Sequence, residues 1–376
     1  LTYGGAERWY RVLVDRFVET GATVTYLTRR QWPLQPPAWT GVNIVAVGGD
    51  SELYDSEGTR RTGPAMMFGI GTFIWLLRHR RKFDAVVVAS FPYFSLLAAR
   101  AALVGTSTPI FVDYLEVWSP QYWKFYAGRV TGTLGVIVQK LCIRVTQFAQ
   151  VFVEENAQRL RAMDYRGDVA VLAGLLPGDR IRSVASESPP EGPTVLFVGR
   201  HVKHKGVRLL PAILSVARES IPDLKMTIVS DGPERSAVER EVHELGLNDY
   251  VTFAGPVSDD DLPQIFANAS CTVVPSLREG YGIVVVESVS AGTPVVVANN
   301  PENLATGLVA EGINGFVVEP SIRAMAEGIV TAIVAGAPLR HSAADWSVQH
   351  SAEKSINRSA DEMVERISTV SNRQSK

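Results

Sequence analysis

Cysteine is scarce in this sequence: Cys142 and Cys271 are the only two among 376 residues, and each lies inside an apolar segment. That scarcity excludes a disulfide framework, fits a reducing cytoplasm and suggests one cysteine in each of two domains. Long charge-free apolar runs are lacking too. The longest, residues 66–77 and 85–99, fall short of the roughly 20 needed to span a bilayer, and Pro92 interrupts the second. No signal-peptide pattern opens the chain, and no His/Cys cluster has metal-ligand spacing. No methionine precedes Met66, and the chain starts on "LTYGGAERWYRVLV", a glycine loop running into a helix with no strand before it. Such a loop normally follows the first, central strand of a doubly wound sheet, so a native N-terminus and a first strand upstream are expected.

What is present describes an ordinary globular chain, 46% hydrophobic and 20% charged, too long for a single core. Its formal charge of -2 is unevenly spread. Residues 1–172 carry 19 Lys/Arg against 14 Asp/Glu, and the remainder 18 against 25. The basic half suits an anionic partner such as phosphate or a lipid headgroup, although solubility alone accounts for a modest surplus. Nothing in the pattern points to nucleic acid.

The second half alternates short Val/Ile runs ("TVLFVGR", "LKMTIVSDG", "YVTFAG", "CTVVPS", "PVVVA", "INGFVVEP") with amphipathic helical stretches. This is the signature of a parallel sheet covered on both faces. The first half is similar but less regular, with "ATVTYLT", "FDAVVVAS", "PIFVDY", "QVFVEE" and "VAVLAG" as strands. The Pro/Ser/Glu stretch 183–193 separates the halves as a linker. The expected organisation is an N-terminal Rossmann-like domain over 1–182, a C-terminal one over 194–340, and a helical segment, 341–376, that packs back on the first domain.

Two glutamates stand out because they occupy one of the most apolar stretches, "PSLREGYGIVVVESVSAGTPVVVA". Glu is seldom buried without a partner. Glu279 reads as a loop residue, and Glu287 lies about one turn into a helix that stops at Gly292. Gly280 and Gly282 let the backbone approach closely at that helix start, whose unpaired N–H groups suit phosphate. Arg200 and Lys205, in "VGRHVKHKG", supply cations from the same sheet edge. A ligand needing cations, helix N–H groups and two carboxylates carries phosphate and several hydroxyls, as a nucleotide sugar does.

The Glu pair with seven residues between, "EGYG" before "VVVE", the "GR...KG" loop, "SDGPER" and "GGAER" together resemble a family 4 glycosyltransferase of the GT-B fold. The resemblance covers nearly the whole chain and is strongest over 194–320. It implies an α/β, GT-B architecture: two Rossmann-like doubly wound parallel-sheet domains facing a cleft. It implies a retaining hexosyltransferase in which Arg200 and Lys205 hold the diphosphate, Glu279 the transferred sugar and Glu287 the ribose. Backbone groups of Gly280, Tyr281, Gly282 and Ile283 would line the donor, and Gly4 and Gly5 would approach from the other domain. No metal or other cofactor is implied, because protein cations and a helix dipole neutralise the leaving diphosphate. The run Asp259, Asp260, Asp261 reads as a helix cap rather than a metal site.

Where the family often has a histidine near the sugar, this sequence has Leu115, flanked by Asp113 and Glu116, which become candidates for the acceptor side. Ser230 replaces a more usual glycine in "SDGPER". His201 and His204 read as solvated members of a basic loop. The aromatic run "VWSPQYWKFY" either lines an acceptor cleft or stacks against the core. Trp75, Arg78, Arg80, Arg81 and Lys82 form either a peripheral membrane contact at the inner face, suited to a lipid-linked acceptor, or a helix end whose cations complement its dipole. A nucleotide-sugar epimerase of the same architecture and a non-catalytic binding protein remain as alternatives.

Overall fold

The computed structural model describes residues 5–30, 32, 35–50, 61–177 and 192–374. The chain divides into two compact units: one built from the residues up to Gly174 together with Ile356–Lys376, the other from Leu175–Ser355. The first boundary falls ahead of the expected 182, and residues 183–191 of the expected linker lie outside the described residues. The second unit runs past 340 because its last helix continues to Ser351. The expected segment 341–376 is therefore split: its part up to Ser355 belongs to the second unit, and the part from Ile356 to the first.

The first unit contains, in chain order, α1 (Gly5–Glu19), β1 (Val24–Arg29), β2 (Val42–Gly48), α2 (Thr62–His79), β3 (Val86–Ala89), α3 (Tyr93–Ala102), β4 (Ile110–Asp113), α4 (Pro120–Ala127), α5 (Arg129–Val145), β5 (Phe148–Val151), α6 (Glu154–Ala162) and β6 (Asp168–Val171). Among the described residues its strands form two parallel pieces, β1-β2 and β3-β4-β5-β6. All four residues of β4 are buried, as expected for a strand covered on both faces. Strand β2 has no counterpart in the sequence-based expectation. The first part of the aromatic run belongs to the core, with Trp118, Tyr122 and Trp123 buried, while Phe125 and Tyr126 are exposed. Gln139 anchors the buried part, accepting from Tyr93 Oη at 2.6 Å and Trp123 Nε1 at 2.9 Å while its amide donates to the Trp118 carbonyl.

The second unit contains β7 (Thr194–Val198), α7 (Leu210–Ala217), β8 (Lys225–Val229), α8 (Arg235–Glu244), β9 (Val251–Gly255), α9 (Leu262–Ala267), β10 (Cys271–Val274), β11 (Arg278–Glu279), α10 (Ile283–Ser290), β12 (Val295–Ala298), β13 (Glu302–Asn303), β14 (Gly315–Val318) and α11 (Ile322–Ser351). Helix α12 (Ile356–Gln374) returns to the first unit and packs on α1. Six parallel strands run in the order β14-β12-β10-β7-β8-β9. The chain winds outward from β7 in one direction and then, from β10, in the other. The crevice beyond the carboxyl ends of β7 and β10 is thus the topological switch point, where doubly wound sheets bind ligands.

By length and composition α11 is apolar enough to cross a membrane. However, its backbone breaks at Gly336, and Met325, Ile329 and Ala332 pack into the unit's core. Both cysteines are free and buried, one in each unit, and burial pushes each thiol up to about 12.

Candidate functional site

The site starts from a glycine. Gly206 follows a short 3-10 turn, Lys203–Lys205, and adopts φ 69°. A Cβ there would collide with the Pro275 carbonyl, so only glycine lets the loop after β7 lie against the loop after β10. The Leu277 N–H donates to the His204 carbonyl at 2.8 Å and fastens the two loops together. Lys205 is thereby delivered to Glu279, its Nζ donating to both carboxylate oxygens at 2.7 and 2.8 Å. Ser276 Oγ donates to Glu279 Oε1 at 2.7 Å. Burial would raise the pKa of Glu279, but the charge and hydrogen bond of Lys205, aided by Ser276, hold it below the usual carboxylate range. The partner required by that apolar stretch is therefore Lys205.

The backbone of Glu279 is fixed as well. β11 pairs in parallel with β13, setting Glu279 against Asn303. Asn303 Nδ2 donates to the carbonyls of Ala298 at 2.9 Å and Ser276 at 3.3 Å, and Asn300 Nδ2 donates to Ser276 at 2.9 Å. Ser276, Asn300 and Asn303 were missed in the sequence. A polar run, "NNPEN", directly after the buried strand "PVVVA" was the available signal.

Gly280 is half-buried, and Gly282 caps α10 at φ 102°, where a Cβ would strike Ala305. Ile283 opens the helix and Glu287 sits half-buried one turn in. The Tyr281 side chain is committed elsewhere: its buried hydroxyl accepts from the Leu175 N–H at 3.0 Å, and burial pushes its pKa to about 12. Arg200 is exposed just beyond β7. The structure thus brings Lys205 onto Glu279 and places Arg200 and the start of α10 at the same sheet edge.

Other expectations fare differently. His201 is buried, not solvated; the loop of "SDGPER" closes over it, with the Glu234 N–H donating to its carbonyl at 2.9 Å. Burial chiefly lowers its pKa. His204 is half-buried and is lowered to about 4, first by burial and then by Lys205. Ser230 takes φ 88°, a left-handed conformation that glycine adopts more readily. Asp261 makes no side-chain cap; Ser258 Oγ instead accepts the Asp261 N–H at 3.2 Å.

In the first unit, Gly5 begins α1, while Gly4 lies outside the described residues. Asp113 is buried at the end of β4 and accepts from Trp9 Nε1 at 2.9 Å. Glu116 accepts from Trp118 Nε1 at 2.8 Å. Both acceptor-side candidates thus have tryptophan partners, and Asp113 is inside the core. Trp75 does not face outward as a contact residue would. It stacks on His79 at 4.2 Å and packs toward the core, leaving Arg78, Arg81 and Lys82 exposed and Arg80 half-buried. Among the described residues no group of three or more His, Cys, Asp or Glu is placed to hold a metal ion.

Two units with parallel sheets covered by helices, the second with its switch point beside a glycine-started helix, have the GT-B fold. The fold matches sucrose-phosphate synthase from Thermosynechococcus elongatus with a TM-score of 0.82, covering 98% of this chain and 94% of that one at 20% identity. Residues 180–345 match the family described as Glycosyl transferases group 1. The chain is 35% identical over 135 residues to a GDP-mannose-dependent alpha-(1-6)-phosphatidylinositol monomannoside mannosyltransferase of Mycobacterium tuberculosis, covering 32% of this chain and 35% of that protein. Over 211 residues it is 35% identical to 2-deoxystreptamine glucosyltransferase of Streptomyces kanamyceticus, covering 53% of this chain and 54% of the relative. The chain thus spans between a third and a little over half the length of these relatives.

Proposed function

We propose that the chain is a cytoplasmic, retaining family 4 glycosyltransferase. It moves a hexose from a nucleotide diphosphate sugar, GDP-mannose or a UDP-hexose, to a glycan, glycolipid or polyprenol-linked acceptor. The observation that carries this reading is the Lys205–Glu279 pair at the switch point, next to the glycine-started α10. The GDP-mannose dependence of the mycobacterial relative favours that donor.

Without donor, Lys205 neutralises Glu279. A diphosphate arriving at the start of α10 competes for the ammonium, and Glu279 is released to accept hydroxyl hydrogens of the hexose. Arg200 and the helix N–H groups share the phosphate charge, so no metal is called for by this arrangement. In a front-face substitution the bond from anomeric carbon to phosphate oxygen breaks and the acceptor hydroxyl oxygen bonds on the same face. The hydroxyl proton leaves with the phosphate. Glu287 grips the ribose.

The test is thermal stabilisation by a panel of GDP-, UDP- and ADP-sugars, followed by transfer of label to an acceptor. A donor at about 100 times its Kd adds about 2.7 kcal/mol. Lys205→Ala lowers kcat roughly 10²- to 10³-fold; the same loss in Arg200→Ala, at an exposed position, separates chemistry from folding. No stabilisation by any nucleotide sugar would remove the donor site. Stabilisation without turnover would favour a binding protein, and an epimerised donor would favour the epimerase.

A further inference from the structure

The first unit carries apolar surface that none of the described residues covers. On α5, Val130, Leu134, Ile137 and Leu141 follow one another at intervals of four, three and four residues, a single helical stripe. Their exposure runs from 47% for Leu141 to 77% for Val130. On α2, Met66, Met67, Ile70, Ile74 and Leu77 form a second exposed stripe. Both helices pack on α3, so the stripes belong to one layer of the unit.

Cations dominate the charge around them, Asp84 being the one exposed acid in residues 61–153. Residues 61–153 hold ten Lys or Arg and only three acids, Asp84, Asp113 and Glu116. Asp113 is buried and Glu116 is engaged by Trp118. Arg78 follows Ile74 by four residues, and Arg144 follows Leu141 by three, so cations border both stripes. Lys124, Arg129 and Lys140 are exposed on α4 and α5. Apolar stripes rimmed by cations are how helices lie on an anionic bilayer, side chains in the acyl boundary and ammonium or guanidinium groups at the phosphates. A second copy of the chain fits poorly, because pairing this face with itself sets cations against cations with only one exposed acid, Asp84, to meet them.

We propose that α2 and α5 form a docking face for an anionic phospholipid membrane. The experiment is co-sedimentation of the full chain with vesicles of phosphatidylcholine alone and with a third phosphatidylglycerol, at low and high salt. Binding to the anionic vesicles, weakened by salt, is expected. Lys140→Glu with Arg144→Glu, both exposed and outside the donor site, should lower the partition about tenfold or more. Leu134→Glu with Ile137→Glu should abolish it while leaving the unfolding midpoint and donor-induced stabilisation in place. Equal binding to both vesicle types, no binding at low salt, or binding unmoved by both double variants overturns the proposal. So does a dimer, seen by light scattering, that Leu134→Glu with Ile137→Glu dissolves in a chain that ignores lipid.

Discussion

Asp113 shows what burial does to a single group. Its carboxyl is pushed up to about 6, first by burial, while the Trp9 hydrogen bond and the charge of Arg366 oppose the rise. Between the unfolded value near 4 and the folded value the native state binds the extra proton, so stability falls as pH rises through that window. For a shift of about two units the change approaches 3 kcal/mol. Asp113→Asn keeps an oxygen for the Trp9 indole and removes the charge. Urea unfolding should find the variant close to wild type near pH 4 and more stable by about pH 7; a gap that does not widen would show that the carboxylate is ionised at no cost. Lys205 and Glu279 stood out because cations after a buried strand and an acid in an apolar run are both unusual, but their pairing with each other was not legible in the sequence. The burial of Asp113 and His201 was not legible, since it comes from α1 and the "SDGPER" loop closing over residues distant in sequence.

Among the elements, Val/Ile runs marked β7, β10 and β12, because strands buried on both faces have no polar side to disguise them, whereas the edge strand β9 alternates half-buried and exposed residues. Strand β2 escaped notice. Most of its residues are half-buried and Asn43 is exposed, so it pairs with β1 without a distinct apolar signal. The exposed stripe of α5 was hidden for a different reason: burial and exposure of an apolar residue look alike in sequence until the neighbouring helices are placed. At α10 the start is set by one residue. Gly282→Ala places an L side chain at φ 102° and its methyl against Ala305. Left-handed strain and overpacking together should destabilise the unit by about 2–4 kcal/mol. Nucleotide-sugar stabilisation should shrink alongside the urea midpoint. A variant with wild-type midpoint and wild-type ligand shift would mean that the helix start tolerates the displacement.

At the scale of the molecule, the first unit is discontinuous and the second is a single insert. Helix α12 completes the first unit, with Arg366 donating to the Ala149 carbonyl at 2.9 Å and pairing with Asp168 at 2.7 Å. A chain stopped at Ser355 should lose the calorimetric transition of the first unit, or have it lowered by many degrees, while that of the second persists. One transition lost for both would show that the units unfold together. The insert's ends are neighbours. Leu176 bridges Ser355 and its N–H donates to the Lys354 carbonyl at 3.0 Å, while Gly174 exchanges hydrogen bonds with Ser359 at 2.7 and 2.8 Å. This arrangement dictates an order of events during folding. While the insert is unfolded, joining α12 to the Gly174 end of the first unit means closing a loop through the whole insert, with an entropic penalty that grows with the logarithm of its length. Once the insert has folded, its adjacent ends shorten that loop to a few residues. The insert is therefore the natural first step, and α12, which follows the insert in the chain, then completes the unit that precedes it.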